Sequence, residues 1–110
     1  MVEEIWNQKK PMNDASVSNY VQSKPGVYGL FEEATSPTYY LRYVGQSDDL
    51  RNRLLQHLAE SEPNPCIKRL VRGGRCTFGF VYVDTQTQRD AIEKAYIERW
   101  NPDCNRKTPQ

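Results

Sequence analysis

Six side chains in this sequence, Tyr28, Tyr43, Arg53, His57, Glu93 and Asn105, are of the types that work on phosphate esters. Arg53 and His57 stand four residues apart, which on a helix puts them on one flank and lets them reach a shared point. A guanidinium offers fixed N–H donors and a permanent charge to a phosphate, and an imidazole exchanges a proton near neutral pH. Glu93 follows Ile92 on another expected helix, where its carboxylate can hold a divalent cation against a phosphate oxygen. Each group also has an ordinary fate: an Arg and a His exposed on a helix edge, and a surface pair between Glu93 and Arg89 or Lys94. Tyr28 and Tyr43 lie close to Gly29 and Gly45. A glycine beside a strand aromatic can open room for a ligand or mark a bulge or strand end. A phenol is neutral at pH 7 and needs a nearby cation or metal to act as a base. Asn105, in a polar tail, has little signal of its own.

The elements that must position these groups follow from local patterns. Pro25-Gly26 is a turn that releases the strand Val27–Phe31. Glu32 to Thr38, with Ser36-Pro37, connects it to a second strand, Tyr39–Gly45, with Tyr39, Leu41 and Tyr43 on one face and Tyr40, Arg42 and Val44 on the other. The two strands make a hairpin. Ser47 or Asp48 then caps a helix reaching about Glu60, whose Leu50, Leu54 and Leu58 stripe faces a sheet. Pro65 opens a short second helix holding Ile67, Leu70 and Val71, which Gly73-Gly74 ends. From Arg75 to Asp84 the period changes to two, and both sets of alternating residues are apolar enough for a central strand. The last helix covers about 88 to 100, with caps offered by Thr85 to Thr87, an Ile92, Tyr96, Trp100 stripe, and a stop at Asn101-Pro102.

Composition bounds the rest. A chain of 110 residues is one ordinary domain. Its division is residues 1–24 as a loose arm with one helical turn around Val17 to Val21, 25–106 as the domain, and 107–110 as a tail. The net charge of +1 conceals a polarity: residues 1–62 carry six basic and nine acidic side chains, and residues 63–110 carry nine and five. Lys68, Arg69, Arg72 and Arg75 fall together without an acid, as a phosphate-facing patch or a solvated helix face. The longest apolar runs are far short of the roughly 20 residues of a bilayer span. The start, Met1-Val2-Glu3-Glu4, is unlike a secretory signal. No membrane partner and an intracellular location, cytoplasmic or nucleoid-associated, are therefore expected. Cys66, Cys76 and Cys104 are read as free thiols in a reducing compartment.

The order and spacing of the motifs carry more than any member. Gly26-Val27-Tyr28, Tyr43-Val44-Gly45, Arg53 ten residues after Tyr43, His57 one turn later, and Asn105 twelve residues after Glu93 together resemble the GIY-YIG nuclease family over about residues 25–105. Val stands for Ile in both triplets, and Gln46 stands where excision-repair members have Lys.

The resemblance implies an α/β (α+β) fold with a small three-stranded antiparallel sheet flanked by three helices. It implies hydrolysis of DNA phosphodiesters with one divalent metal, Mg2+ with Mn2+ able to substitute. Glu93 would hold the metal and Arg53 would meet the transition-state charge. Tyr28 would accept the water's proton with His57 and Tyr43 assisting, and Asn105 would orient Glu93 or close the site. Arg51, Lys68, Arg69, Arg72 and Arg75 would contact phosphates of DNA, double-stranded by expectation. Specificity would come from a homodimer or a partner protein. A catalytically silent nucleic-acid-binding module and a structural interaction domain are the rival readings.

Overall fold

The structure is a computed structural model that describes Trp6, residues 9–34 and residues 38–105. The Ser36-Pro37 connection and the 107–110 tail expected from the sequence lie outside the described residues. Among the described residues, four strands form one antiparallel sheet: β1 Lys10–Pro11, β2 Gly26–Glu33, β3 Tyr39–Ser47 and β4 Cys76–Tyr82, in the order β1-β4-β2-β3. Four helices accompany it: α1 Asp14–Tyr20, α2 Leu50–Leu58, α3 Pro65–Arg72 and α4 Gln86–Trp100, with a final 3-10 turn at Asp103–Asn105.

Three strands and three helices were expected, and the additional pair comes from the segment read as a loose arm. Lys10 and Pro11 pair with Phe78 and Thr77 of β4. Asn13 caps α1 by accepting from the Ser16 N–H at 2.8 Å. Met12, Val17 and Val21 are then buried in the core. Three apolar residues in a polar stretch are too few for a periodic signal, yet they suffice once a sheet edge and α2 stand ready to receive them.

The remaining elements form where local chemistry predicts, with caps shifted by a residue or two. Asp49 caps α2 through the Asn52 N–H, and Asn64 caps α3 with Pro65 at its first position. Thr85 caps α4, and Asn101 ends it in the left-handed conformation at φ 46°. Leu50 and Leu54 are fully buried. Trp100 departs from its expected stripe: it is half exposed, with the Arg99 guanidinium 4.5 Å from its ring centre.

The sheet separates two cores. Tyr28, Leu30, Phe78 and Phe80 pack with α1, α2 and α3 residues, and Val27, Phe31 and Val44 pack with Trp6 and Tyr96. The β2–β3 register slips between Leu30 and Phe31, so Leu30 faces Tyr43 whereas Phe31 faces Leu41. Arg42 is the extra residue of a bulge. Leu41 joins the second core and Tyr43 the first, which overturns the expectation of one shared face. The bulge re-aims Tyr43, as bulges do beside functional sites.

Candidate active site

Tyr28 projects from the middle of β2 into the first core and is fully buried. Its ring lies 6.1 Å from that of Tyr43 on β3 and 5.5 Å from that of His57 on α2. The Tyr28 hydroxyl is 2.6 Å from His57 Nε2. This approach depends on Gly45, because a methyl on that residue would fall 2.6 Å from the Tyr28 hydroxyl oxygen. The glycine of the second triplet is thus the space the phenol occupies.

His57 is inside, not on a solvated flank: its exposure is 1%. Its other ring nitrogen, Nδ1, is 2.9 Å from a carboxylate oxygen of Glu62, which is also buried. Glu62 is brought there by the turn after α2, closed by its own N–H donating to the Ala59 carbonyl at 3.1 Å. Burial holds the His57 imidazole below its usual range, against the opposing pull of Glu62, so the ring is neutral at pH 7. Burial likewise pushes the Tyr28 phenol well above its ordinary value, with Tyr43 adding to the rise and Arg53 opposing it. Tyr43 is raised for the same first reason, with Arg53 opposing and Glu93 adding. Arg53, half-buried on α2, donates to the Gln56 side chain at 3.2 Å while its guanidinium acts on both phenols.

Glu93 approaches from the other side of the sheet, on α4, and reaches the site at the outer edge of β3. There it acts on Tyr43 and accepts from Gln46 Nε2 at 3.3 Å. Gln46 joins the two elements, accepting also from Gln86 at 2.6 Å and from Arg89 at 3.3 Å. Arg89, buried, donates to the carbonyls of Val83 and Asp84 and pairs with Asp48. It is therefore not the partner of Glu93. Among the described residues Glu93 enters no salt bridge, and a half-buried carboxylate in this position suits a hard divalent cation that keeps several of its waters.

Asn105 holds the strand, not the carboxylate. Its side-chain oxygen accepts from the Val44 N–H and its amide donates to the Val44 carbonyl, both at 2.8 Å.

The basic residues are less unified. Arg51 donates to the carbonyls of Val21 and Ser18 and so fastens α1 to α2. Lys68, Arg69 and Arg72 lie on α3, where Arg69 and Arg72 are exposed, and exposed Arg75 reaches the Ala34 carbonyl at 3.5 Å.

Cys66 and Cys104 are not free thiols; they form a disulfide with Cα atoms 5.2 Å apart. They are 38 residues apart in sequence, and Asn64, donating to the Cys104 carbonyl at 3.1 Å, draws the start of α3 to the 3-10 turn. An Asp103 oxygen lies near both sulfurs, but bonded sulfurs offer no thiolate to a metal. Cys76 is the free cysteine, its thiol pushed up to about 12 by burial and then by Glu32.

Glu62 is the participant that sequence reading missed, and Gln46, noted there only as a departure from the lysine of excision-repair members, links β3 to α4. Glu62 lies in a turn without periodicity, and its only signal was five-residue spacing from the single histidine.

Two strand tyrosines, an arginine and a histidine on one helix, and a carboxylate from the closing helix thus converge on a small α+β domain. Residues 24–106 match the model of the UvrC-like GIY-YIG domain, and the chain belongs to that family. It is 30% identical over 88 residues to the UvrABC system protein C of Bartonella quintana, covering 78% of this chain and 12% of that protein. The GIY-YIG N-terminal endonuclease domain of UvrC from Thermotoga maritima, bound to magnesium, superposes with a TM-score of 0.62 at 18% identity, over 83% of this chain and 97% of that one. A point mutant of the same domain bound to its catalytic divalent cation gives 0.63 at 17% identity, over 84% and 97%.

Proposed function

We propose that the chain is a divalent-metal-dependent endonuclease that hydrolyses phosphodiesters of double-stranded DNA. The observation that carries this reading is the convergence of Tyr28, Tyr43, Arg53 and His57 around one point, with Glu93 brought to Tyr43 across the β3 edge. Rival readings as a silent binding module or an interaction domain leave unexplained why a buried phenol, an imidazole and a carboxylate meet without any apolar substitute.

Glu93 would hold the cation, which the magnesium-bound Thermotoga maritima domain suggests is Mg2+. When bound, such a cation neutralises phosphate charge and lowers the pKa of coordinated water. Arg53, with its fixed donors, faces the extra negative charge that builds on the phosphoryl oxygens as water attacks. Tyr28 is the acceptor for the water's proton. Because Tyr28 is enclosed, half-buried Tyr43, which acts on both Tyr28 and Glu93, passes that proton inward. Asn105 keeps β3 in place for this transfer.

Lys68, Arg69, Arg72 and Arg75 serve as sequence-blind phosphate contacts, so association weakens with salt. Selectivity is left to a second copy, a partner protein or further domains. An intracellular setting with access to the nucleoid fits this substrate.

Cleavage of supercoiled DNA by the purified chain, with Mg2+ or Mn2+ and with chelator, tests the reading. Glu93→Ala and Arg53→Ala should each cut at least about 10²-fold more slowly while keeping the wild-type unfolding midpoint. DNA binding without cleavage in either metal would replace it with the silent-module reading.

A further inference from the structure

The contact that the proposed reaction leaves unused is the one behind His57. Glu62, His57 and Tyr28 form an unbroken buried line of carboxylate, imidazole and phenol, with separations of 2.9 and 2.6 Å. Their exposures are 7%, 1% and 0%. An ionised carboxylate only accepts, and opposite such a group His57 Nδ1 is the donor. A neutral imidazole then presents Nε2 as an acceptor, and the Tyr28 hydroxyl is the donor that meets it.

We propose that Glu62 is a positioning residue that holds His57 in the tautomer able to take the Tyr28 proton, making the three side chains one relay. This deepens the nuclease reading and rests on it for its use. As the water oxygen bonds to phosphorus, its proton passes to the Tyr43 hydroxyl, the Tyr43 proton to Tyr28, and the Tyr28 proton to His57 Nε2. The phosphorus–3′-oxygen bond breaks with its electron pair on the departing oxygen, which takes a proton from solvent. The imidazolium so formed faces the Glu62 carboxylate, and no net charge is stranded in the core. The same logic makes a buried carboxylate behind an imidazole effective in hydrolases of unrelated fold.

The groups facing His57 are Tyr28 from β2, Tyr43 from β3, Arg53 on its own helix and Glu62 from the turn. His57 is the single histidine of the chain, so its ring nitrogens can be followed without assignment by nitrogen-15 NMR of the whole protein. The wild type should show a neutral ring protonated on Nδ1. Glu62→Gln keeps an acceptor but removes the charge. It should lower the His57 pKa, move the acid limb of kcat to lower pH with it, and reduce kcat about 10²-fold with KM within twofold. Glu62→Asp should restore part of that loss.

A wild-type ring protonated on Nε2 overturns the proposal, as does a folded Glu62→Gln protein with wild-type kcat and acid limb. Should wild-type protein fail to cut DNA in any divalent metal, the nuclease reading falls, while the NMR tautomer still decides whether Glu62 orients His57.

Discussion

Asn105 closes the edge of the sheet by imitating a neighbouring strand at Val44. It accepts from the Val44 N–H and donates to the Val44 carbonyl, each at 2.8 Å. β3 is an edge strand, so these outward groups have no strand to pair with. Val44 itself lies between Tyr43, which joins the first core, and Gly45, which makes room for Tyr28.

Asn105→Ala should destabilise the protein by about 1–3 kcal/mol, the cost of leaving such backbone groups without a partner. Asn105→Asp should fall at the upper end, because a carboxylate still accepts from the N–H but faces the carbonyl with a second acceptor. Urea unfolding of the three proteins checks the order; equal midpoints would remove Asn105 from this role.

Gly45→Ala should lose both stability and cleavage. The added methyl meets the Tyr28 and Tyr43 rings at 2.6 to 2.9 Å, and overfilling of this kind costs about 1–3 kcal/mol. Gly73→Ala is the contrast, since its methyl meets only two helix carbonyls at 3.4 Å and the residue is an exposed one at the end of α3. That variant should unfold at or slightly above the wild-type midpoint.

Stability should decline at both ends of the pH range. The folded pKa of His57 lies below its unfolded value, so as pH falls through about 6.5 the unfolded chain gains a proton that the folded one refuses. Tyr28 and Tyr43 are displaced upward. Their contribution is complete below about pH 10 and is lost as pH rises beyond it, when the unfolded phenols ionise first. Unfolding midpoints from pH 5 to 11 should trace this plateau, and Tyr28→Phe should flatten its alkaline side.

Reduction of Cys66–Cys104 should lower stability by about 2–4 kcal/mol, the usual effect of opening a loop of this size. It also leaves the 3-10 turn bearing Asn105 without its covalent tie to α3, with the Asn64–Cys104 hydrogen bond still joining them. Native protein without reductant should resist alkylation at pH 8, since Cys76 is buried with its thiol pushed up to about 12. With reductant, two thiols should react and Cys76 should remain protected until the protein unfolds.

The features that depend on near neighbours are legible in the order of residues alone. The Leu50 and Leu54 stripe, Pro65 at the start of α3, Asn101 after α4, the alternation in β4 and the spacing of Tyr28, Tyr43, Arg53, His57 and Glu93 are all one-dimensional patterns. Helix and strand periods convert such patterns directly into faces. The rest came from packing between distant segments: the strand and full helix made from residues 10–20, the bulge that turns Tyr43 away from Leu41, the Cys66–Cys104 bond, and Glu62 behind His57. Each depends on groups brought together by sheet order and chain reversal, and no local propensity records which distant surface will be waiting.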